Sequence, residues 1–283
     1  MRIVYSADLH GHIDFYRQLL ELAVTTDTNV AVIGGDVLPH GTRLATGLDI
    51  QRRFVEHELR PLLQSYKTTH PALSLYVIPG NDDWLAAYRT LAALEANGLL
   101  IDIHQRAVPL APRVWLAGSG YIGLTPFAIK DWERRDTPNA APPSLAQLFR
   151  SDRDQIEPIE LAELLARPSV ADELAQLAQL SEPQQTIYVL HCPPWQTRLD
   201  QRTGGRATGS HAIRDFILQH QPPLTLHGHI HESPAVSGAW YDQLGTTIAI
   251  NPGQAQQGFH AVIFDTEDVL RTIRHTAYGM LHL

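Results

Sequence analysis

Five short apolar runs in this chain each break off into residues able to bind a metal or move a proton. Ile3 to Ser6 leads into Asp8-Leu9-His10-Gly11, and Val30 to Ile33 leads into Gly34-Gly35-Asp36. Leu73 to Ile78 stops at Pro79-Gly80 and presents Asn81-Asp82-Asp83. Thr186 to Leu190 ends in His191-Cys192-Pro193-Pro194, and Leu224 to Leu226 is followed by Gly228-His229-Ile230-His231. Open α/β folds bind ligands at the carboxyl ends of their strands. Five strand ends of this kind therefore demand sheets that bring them to one side.

The segments between the first runs carry helical spacing: Phe15, Leu19, Leu22 and Ala23, then a helix from about Leu48 to Tyr66, then one from Leu85 that stops at Asn97-Gly98. This βαβαβα rhythm predicts a parallel or mostly parallel sheet. Later apolar segments, Leu99 to Ile103, Arg113 to Gly118, Thr186 to Leu190, Leu224 to Leu226, Thr246 to Ile250, Ala261 to Phe264 and Val269 to Arg274, predict a second, more antiparallel set of strands. The stretch from about 124 to 183 is helix-rich and punctuated by prolines. Its stripes, Leu161, Leu164 and Leu165, then Leu174, Leu177 and Leu180, suit helices covering a sheet face, or a lid over a site. We expect one domain spanning residues 1–283.

Composition limits the partners. A formal net charge of −8 argues against a broad nucleic-acid or anionic-membrane surface and favours a small-molecule partner. Cys192 is the single cysteine, so an intrachain disulfide and a cysteine-rich metal site are both excluded. The first apolar run is too short for a signal peptide, and no run approaches the roughly 18 apolar residues of a membrane span. A soluble cytoplasmic protein is the expectation.

Each strand-end motif is ordinary by itself. Together they supply Asp8, His10, Asp36, Asn81, His191, His229 and His231, oxygen and nitrogen donors with no sulfur. That is the set two metal ions need when they share one carboxylate, and manganese, iron or zinc all suit it.

In order along the chain, Asp-x-His, Gly-Asp, Gly-Asn, a lone His and Gly-His-x-His resemble the calcineurin-like metallophosphoesterase superfamily. Asn251-Pro252-Gly253 resembles a recurrent turn of that superfamily, while HCPPW, GSHAI and LHGHIHES are similar to the bacterial Icc-related predicted phosphoesterases. The resemblance implies a four-layer αββα sandwich, two mixed sheets face to face with helices outside. It implies Asp8, His10, Asp36 and His231 around one metal, with Asp36 bridging to a second held by Asn81, His191 and His229. The implied reaction is in-line attack on phosphorus by a metal-bridging hydroxide, without a covalent enzyme intermediate.

One position departs from the pattern. The superfamily usually follows that asparagine with a histidine that assists the departing oxygen, and here it is Asp82, a poor proton donor at neutral pH. His12 and His40 are candidates to substitute for it, and Glu232 is a candidate to orient a ligand. The loop QTRLDQRTGGRATGS offers Arg202 and Arg206 beside Ser210, a helix cap, as a clamp for a substrate anion. The expected activity is hydrolysis of phosphodiesters or activated phosphate esters, because the usual proton donor is missing. The alternatives are a protein phosphatase or nucleotidase, or a non-catalytic metal-binding scaffold. A dinucleotide-binding protein is disfavoured, since no Gly-x-Gly-x-x-Gly turn follows the first strand.

Overall fold

Alternation along the strands builds the molecule. In the computed structural model, which describes residues 1–40, 44–144, 147–255 and 258–280, the first run is strand β1 (Arg2–Ser6), followed by β2 (Val30–Gly34), β3 (Ser74–Ile78) and β4 (Ile101–Asp102). Side chains on a strand point to opposite faces in turn. Accordingly Ile3, Tyr5, Val30, Val32, Tyr76 and Ile78 enter a core between two sheets, while Val4, Ala31, Ile33, Leu75 and Val77 enter a separate core beneath helices. These runs are apolar throughout because both faces are covered.

The second sheet contains β5 (Arg106–Ala111), β6 (Val114–Ser119), β7 (Thr186–Leu190), β8 (Leu224–Leu226), β9 (Tyr241–Leu244) and β10 (Thr247–Ile250). The chain then returns to the first sheet as β11 (Val262–Asp265), β12 (Arg274–His275) and β13 (Gly279–Met280). Strand orders are β13-β12-β11-β1-β2-β3-β4 and β9-β10-β8-β7-β6-β5. On the outer side of the first sheet pack α1 (Ile13–Thr25), α2 (Leu44–Phe54), α3 (Arg60–Thr69), α4 (Leu85–Tyr88) and α5 (Ala92–Ala96). The segment that follows β6 contains α6 (Leu161–Ala166) and α7 (Val170–Leu177), and α8 (His211–His220) lies between β7 and β8. Val170, Leu174 and Leu177 of α7 and Ile213, Phe216 and Ile217 of α8 bury against Tyr188 and Leu190, the outward residues of β7. The result is the expected αββα sandwich.

Four expectations need correction. Of the runs expected in the second set, Leu99 to Ile103 and Ala261 to Phe264 pair in the first sheet as β4 and β11. The stretch 124–183, expected to be helix-rich, has among its described residues α6 and α7 beside the short strands Glu133–Arg134, Phe149–Asp152 and Gln155–Pro158. The second sheet is antiparallel only at its edges, β5 against β6 and β9 against β10; β6, β7, β8 and β10 run parallel. The reason is connection length, because β6 to β7 and β7 to β8 are crossovers carrying α7 and α8, where hairpins would have reversed the chain. Val269–Thr272, expected as strand, is a helical turn whose first residue follows Asp268, a cap accepting from the Arg271 amide. Within the stretch 124–183, residues 145 and 146 lie outside the described residues. Among the described residues, no helix is long and apolar enough to cross a membrane.

Candidate metal centre

The turns after β1, β2 and β8 adopt backbone conformations that side chains avoid. Asp8, His10, Asp36 and His229 have φ of +57°, +43°, +48° and +65°. Non-glycine residues in this region carry strain, which persists only where surrounding contacts enforce it. Here the enforcing contacts are backbone bonds between the turns: the Asp8 amide donates to the Gly35 carbonyl (3.0 Å) and the His10 amide to that of Asp36 (2.8 Å). The His229 amide donates to both Asp8 carboxylate oxygens at 3.0 Å. Glycine makes the close approaches possible. A Cβ on Gly80 would stand 2.2 Å from Asp36 Oδ1, and one on Gly228 would stand 2.5 Å from Asp8 Oδ2.

Asp8, His10, Asp36 and His231 converge so that one ligand atom from each lies within 4.8 Å of the others. His231 Nε2 is 3.3 Å from Asp8 Oδ1 and 3.3 Å from His10 Nε2, and His10 Nε2 is 3.7 Å from Asp36 Oδ2. On the other side of Asp36, the same Oδ2 is 3.4 Å from His191 Nε2, which is 3.2 Å from Asn81 Oδ1. His191 Nδ1 donates to the Gly34 carbonyl at 2.8 Å, so its Nε2 is the nitrogen turned to the site. The His229 ring stands beside that of His191, with centroids 5.3 Å apart. These donors fit metal ions. Two imidazole nitrogens face each other across a gap rimmed by two buried carboxylates, and His10 Nδ1 is buried without a hydrogen-bond partner.

Charge in the centre follows from this crowding. Burial alone would lower His191 and His231, but Asp36 beside the first and Asp8 beside the second outweigh it and raise both to about 9. Burial would likewise raise Asp36, yet His191, His10 and the Asp82 amide hold it well below the carboxylate range. His229, buried and repelled by the charge on His191, falls to about 4 and is therefore neutral at pH 7.

The two acids that follow Asn81 have separate surroundings. Asp83 is fully buried and accepts from the amides of Val37 (3.1 Å), Leu38 (2.7 Å) and Gly80 (2.9 Å), clamping the Asp36 turn to the Asn81 turn. Asp82 faces the rim: Oδ1 accepts from Asn81 Nδ2 (3.0 Å) and Oδ2 from His40 Nδ1 (2.7 Å), with His10 Nδ1 3.8 Å away. His12 precedes α1 and its exposed ring tilts over Phe15.

Arg202 and Arg206 lie on a small hairpin, Gln201–Arg202 against Arg206–Ala207, where both are exposed. Arg202 Nε is 3.9 Å from a Glu232 carboxylate oxygen. Ser210 caps α8 as expected, accepting from the Ile213 amide at 3.0 Å. The helix start is not open to a substrate anion, because Asp136 already occupies it, accepting from the His211 (2.9 Å) and Ala212 (3.2 Å) amides. Beside it a cavity of about 190 Å³ reaches from Thr125 and Arg135 to His229.

The sequence marks Asn251 only as part of a turn. Its Nδ2 lies within hydrogen-bond reach of the carbonyls of Leu199 (3.0 Å), Gly228 (3.3 Å) and Ile230 (3.2 Å), bracing the loop that carries His229 and His231. A buried amide after β10 gives no sequence signal of this duty.

A family model described as calcineurin-like phosphoesterase matches residues 1–233. Among solved structures, TT1561 of Thermus thermophilus superposes with a TM-score of 0.59 at 18% identity, covering 97% of both chains. A dimetal phosphatase from Danio rerio superposes with a TM-score of 0.54 at 12% identity, covering 93% of this chain and 91% of that one. At these identities the likeness is one of fold. No curated protein matches this chain.

Proposed function

Since the chain belongs to the calcineurin-like phosphoesterase family, metal-dependent hydrolases of phosphoesters, we propose that its centre holds two ions and cleaves phosphodiesters or activated phosphate esters. Asp8, His10, Asp36 and His231 would hold one ion, and Asn81, His191 and His229 the other, with Asp36 shared. The observation that carries this reading is the position of Asp36 Oδ2, between His10 Nε2 at 3.7 Å and His191 Nε2 at 3.4 Å. When bound, such ions supply positive charge for the phosphoryl oxygens and make water a stronger nucleophile.

The chain's own residues do the rest. His191 is oriented by Gly34, His229 is kept neutral by burial, and the strained turns at Asp8 and Asp36 are held by Gly35 and Asp83. Asp82 has both carboxylate oxygens engaged as acceptors, from Asn81 and His40, and has no donor to offer a leaving oxygen. Preference for diesters and good leaving groups follows. We read the stretch 124–183 as a cover, whose Asp136 ties it to the start of α8 beside the centre.

One observation favours a second reading of proton supply. The His40 side chain is 64% exposed and its Nδ1 is held by Asp82, so its ring could serve as donor with Asp82 as the positioning residue. The experiment that tests the activity is a panel of nitrophenyl monoester, bis-nitrophenyl diester, cyclic nucleotide and phosphopeptide, run with metal analysis. Diester turnover that disappears on chelation and returns with metal supports the proposal. Phosphopeptide hydrolysis exceeding diester hydrolysis supports a protein phosphatase instead, and metal binding without turnover supports a scaffold.

A further inference from the structure

Four arginines distant in sequence, Arg89, Arg134, Arg150 and Arg167, line one cavity of about 440 Å³ that contains none of the metal-centre residues. In a chain with a net charge of −8 this is an unusual gathering of positive charge. Arg150 is neutralised, its Nε bonding Glu157 at 2.7 Å and its second nitrogen bonding Glu163. Among the described residues, neither Arg134 nor Arg167 has a carboxylate within salt-bridge distance. Arg134 donates to the carbonyls of Asp131 (3.1 Å) and Glu133 (2.9 Å), and Arg167 to that of Lys130 (2.7 Å).

Two carboxylates also line the cavity, and Asp131 offsets part of the charge on Arg167. Asp131 is buried and already accepts from the Leu85 amide (2.9 Å) and the Ser151 hydroxyl (2.6 Å) and amide (3.0 Å). Asp152 is exposed. Burial, and next the charge of Arg134, push Arg167 below its ordinary value, against the opposing effect of Asp131 and Glu163. Arg134 Nε is buried with no hydrogen-bond partner, while the guanidinium is fixed 4.1 Å over the Tyr121 ring. Desolvated cations and an unpaired buried donor both raise the free energy unless a counter-ion satisfies them.

We infer that this cavity binds a phosphate-bearing small molecule, with Arg134 and Arg167 as the principal ligands of its phosphate and Arg89 at the rim. Guanidinium forks match phosphate oxygens two at a time. The volume falls in the range of about 300–1,000 Å³ usual for small-molecule sites, so an organic group can accompany the phosphate. The bound phosphate is either the distal end of an extended substrate or a separate effector.

Equilibrium dialysis of inorganic phosphate against the metal-loaded protein tests the inference. The expected result is two phosphates per wild-type chain, one at the metal centre and one in the cavity, and a single phosphate for Arg167→Gln and for Arg89→Gln. Turnover of bis-nitrophenyl phosphate without added phosphate should be unchanged in both variants. Arg89 is exposed, so its variant remains informative if Arg167→Gln perturbs folding through the lost Lys130 bond. An equal phosphate count in wild type and in folded Arg167→Gln and Arg89→Gln proteins, whatever the count at the metal centre, would overturn it.

Kinetics then separate the two sources. A substrate tail predicts that KM for a diester bearing a second phosphate rises about tenfold or more in the variants, since a charge-assisted hydrogen bond to that phosphate is lost. An effector predicts instead that added phosphate changes wild-type turnover of bis-nitrophenyl phosphate and leaves the variants unmoved. Because dialysis needs no catalysis, failure of the phosphodiesterase reading and failure of this inference are distinguishable.

Discussion

His40 Nδ1 donates to Asp82 Oδ2 at 2.7 Å, pairing an exposed imidazole with the aspartate that follows Asn81. The bond to Asp82 raises the His40 pKa, against the opposing effect of partial burial. In the proposed reaction this pair would set how the leaving group departs.

With no donor at Asp82, wild-type kcat/KM should fall steeply as leaving-group pKa rises across an aryl-to-alkyl ester series. Asp82→Ala and His40→Gln should follow the same line, with nitrophenyl diesters little affected. A wild-type advantage that grows with leaving-group pKa toward the 10²–10⁴-fold typical of general acid catalysis would contradict this. If both variants lose that advantage together, the donor is His40 positioned by Asp82; if only Asp82→Ala loses it, Asp82 itself is the acid.

Gly80→Ala should displace Asp36, because the new Cβ would fall 2.2 Å from its Oδ1 and 2.3 Å from its amide. We expect a loss of about 1–3 kcal/mol in urea denaturation, as for other overpacked sites, together with weaker metal binding. Lost stability at unchanged metal affinity would place the strain elsewhere than on Asp36.

Protons compete with metal at this centre. In the metal-free protein His191 and His231 hold protons up to about 9, against 6.5 for an ordinary histidine. Raised pKa values mean that their stabilising contribution is complete below pH 6.5 and is lost as pH climbs through about 9. The Tm of the metal-free protein should therefore fall across that window while metal affinity increases, with proton release on binding. Calorimetry in buffers of different ionisation enthalpy measures the release. Affinity that does not change from pH 6.5 to 9 would show that these imidazoles are not displaced from their protons by the metal.

Lys130 Nζ lies 2.6 Å from Glu133 Oε2, and both side chains have no solvent exposure. Lys130→Met should destabilise by about 3–5 kcal/mol by stranding a buried carboxylate, and Glu133→Leu added to it should restore much of the loss. Urea denaturation of the single and double variants measures this. A double variant no more stable than the single would mean that packing, not the uncompensated charge, sets the loss.

Much of the centre was legible because apolar runs buried on both faces end abruptly, and Asp8, Asp36, Asn81, His191 and His231 stand at those ends. The two acids of GNDD share a spelling but not a role: Asp83 reads as a loop charge, yet it is buried under the amides of Val37, Leu38 and Gly80. Burial of this kind depends on another turn folding over it, which no local pattern announces. Strand direction in the second sheet was hidden because β8 and β10 are short and read alike in either orientation. Arg89 follows α4, Arg134 lies on the strand 133–134, Arg150 on the strand 149–152 and Arg167 just after α6, so the cavity they line has no linear signature.

The sharing of Asp36 by two ions is tested most directly by counting metal in Asp36→Asn, using elemental analysis of folded protein alongside diester turnover. Wild type should carry two ions per chain, whereas Asp36→Asn, with a carboxamide between His10 and His191, should carry fewer than one and be inactive. A folded Asp36→Asn protein that retains two ions and near-normal turnover would contradict the account.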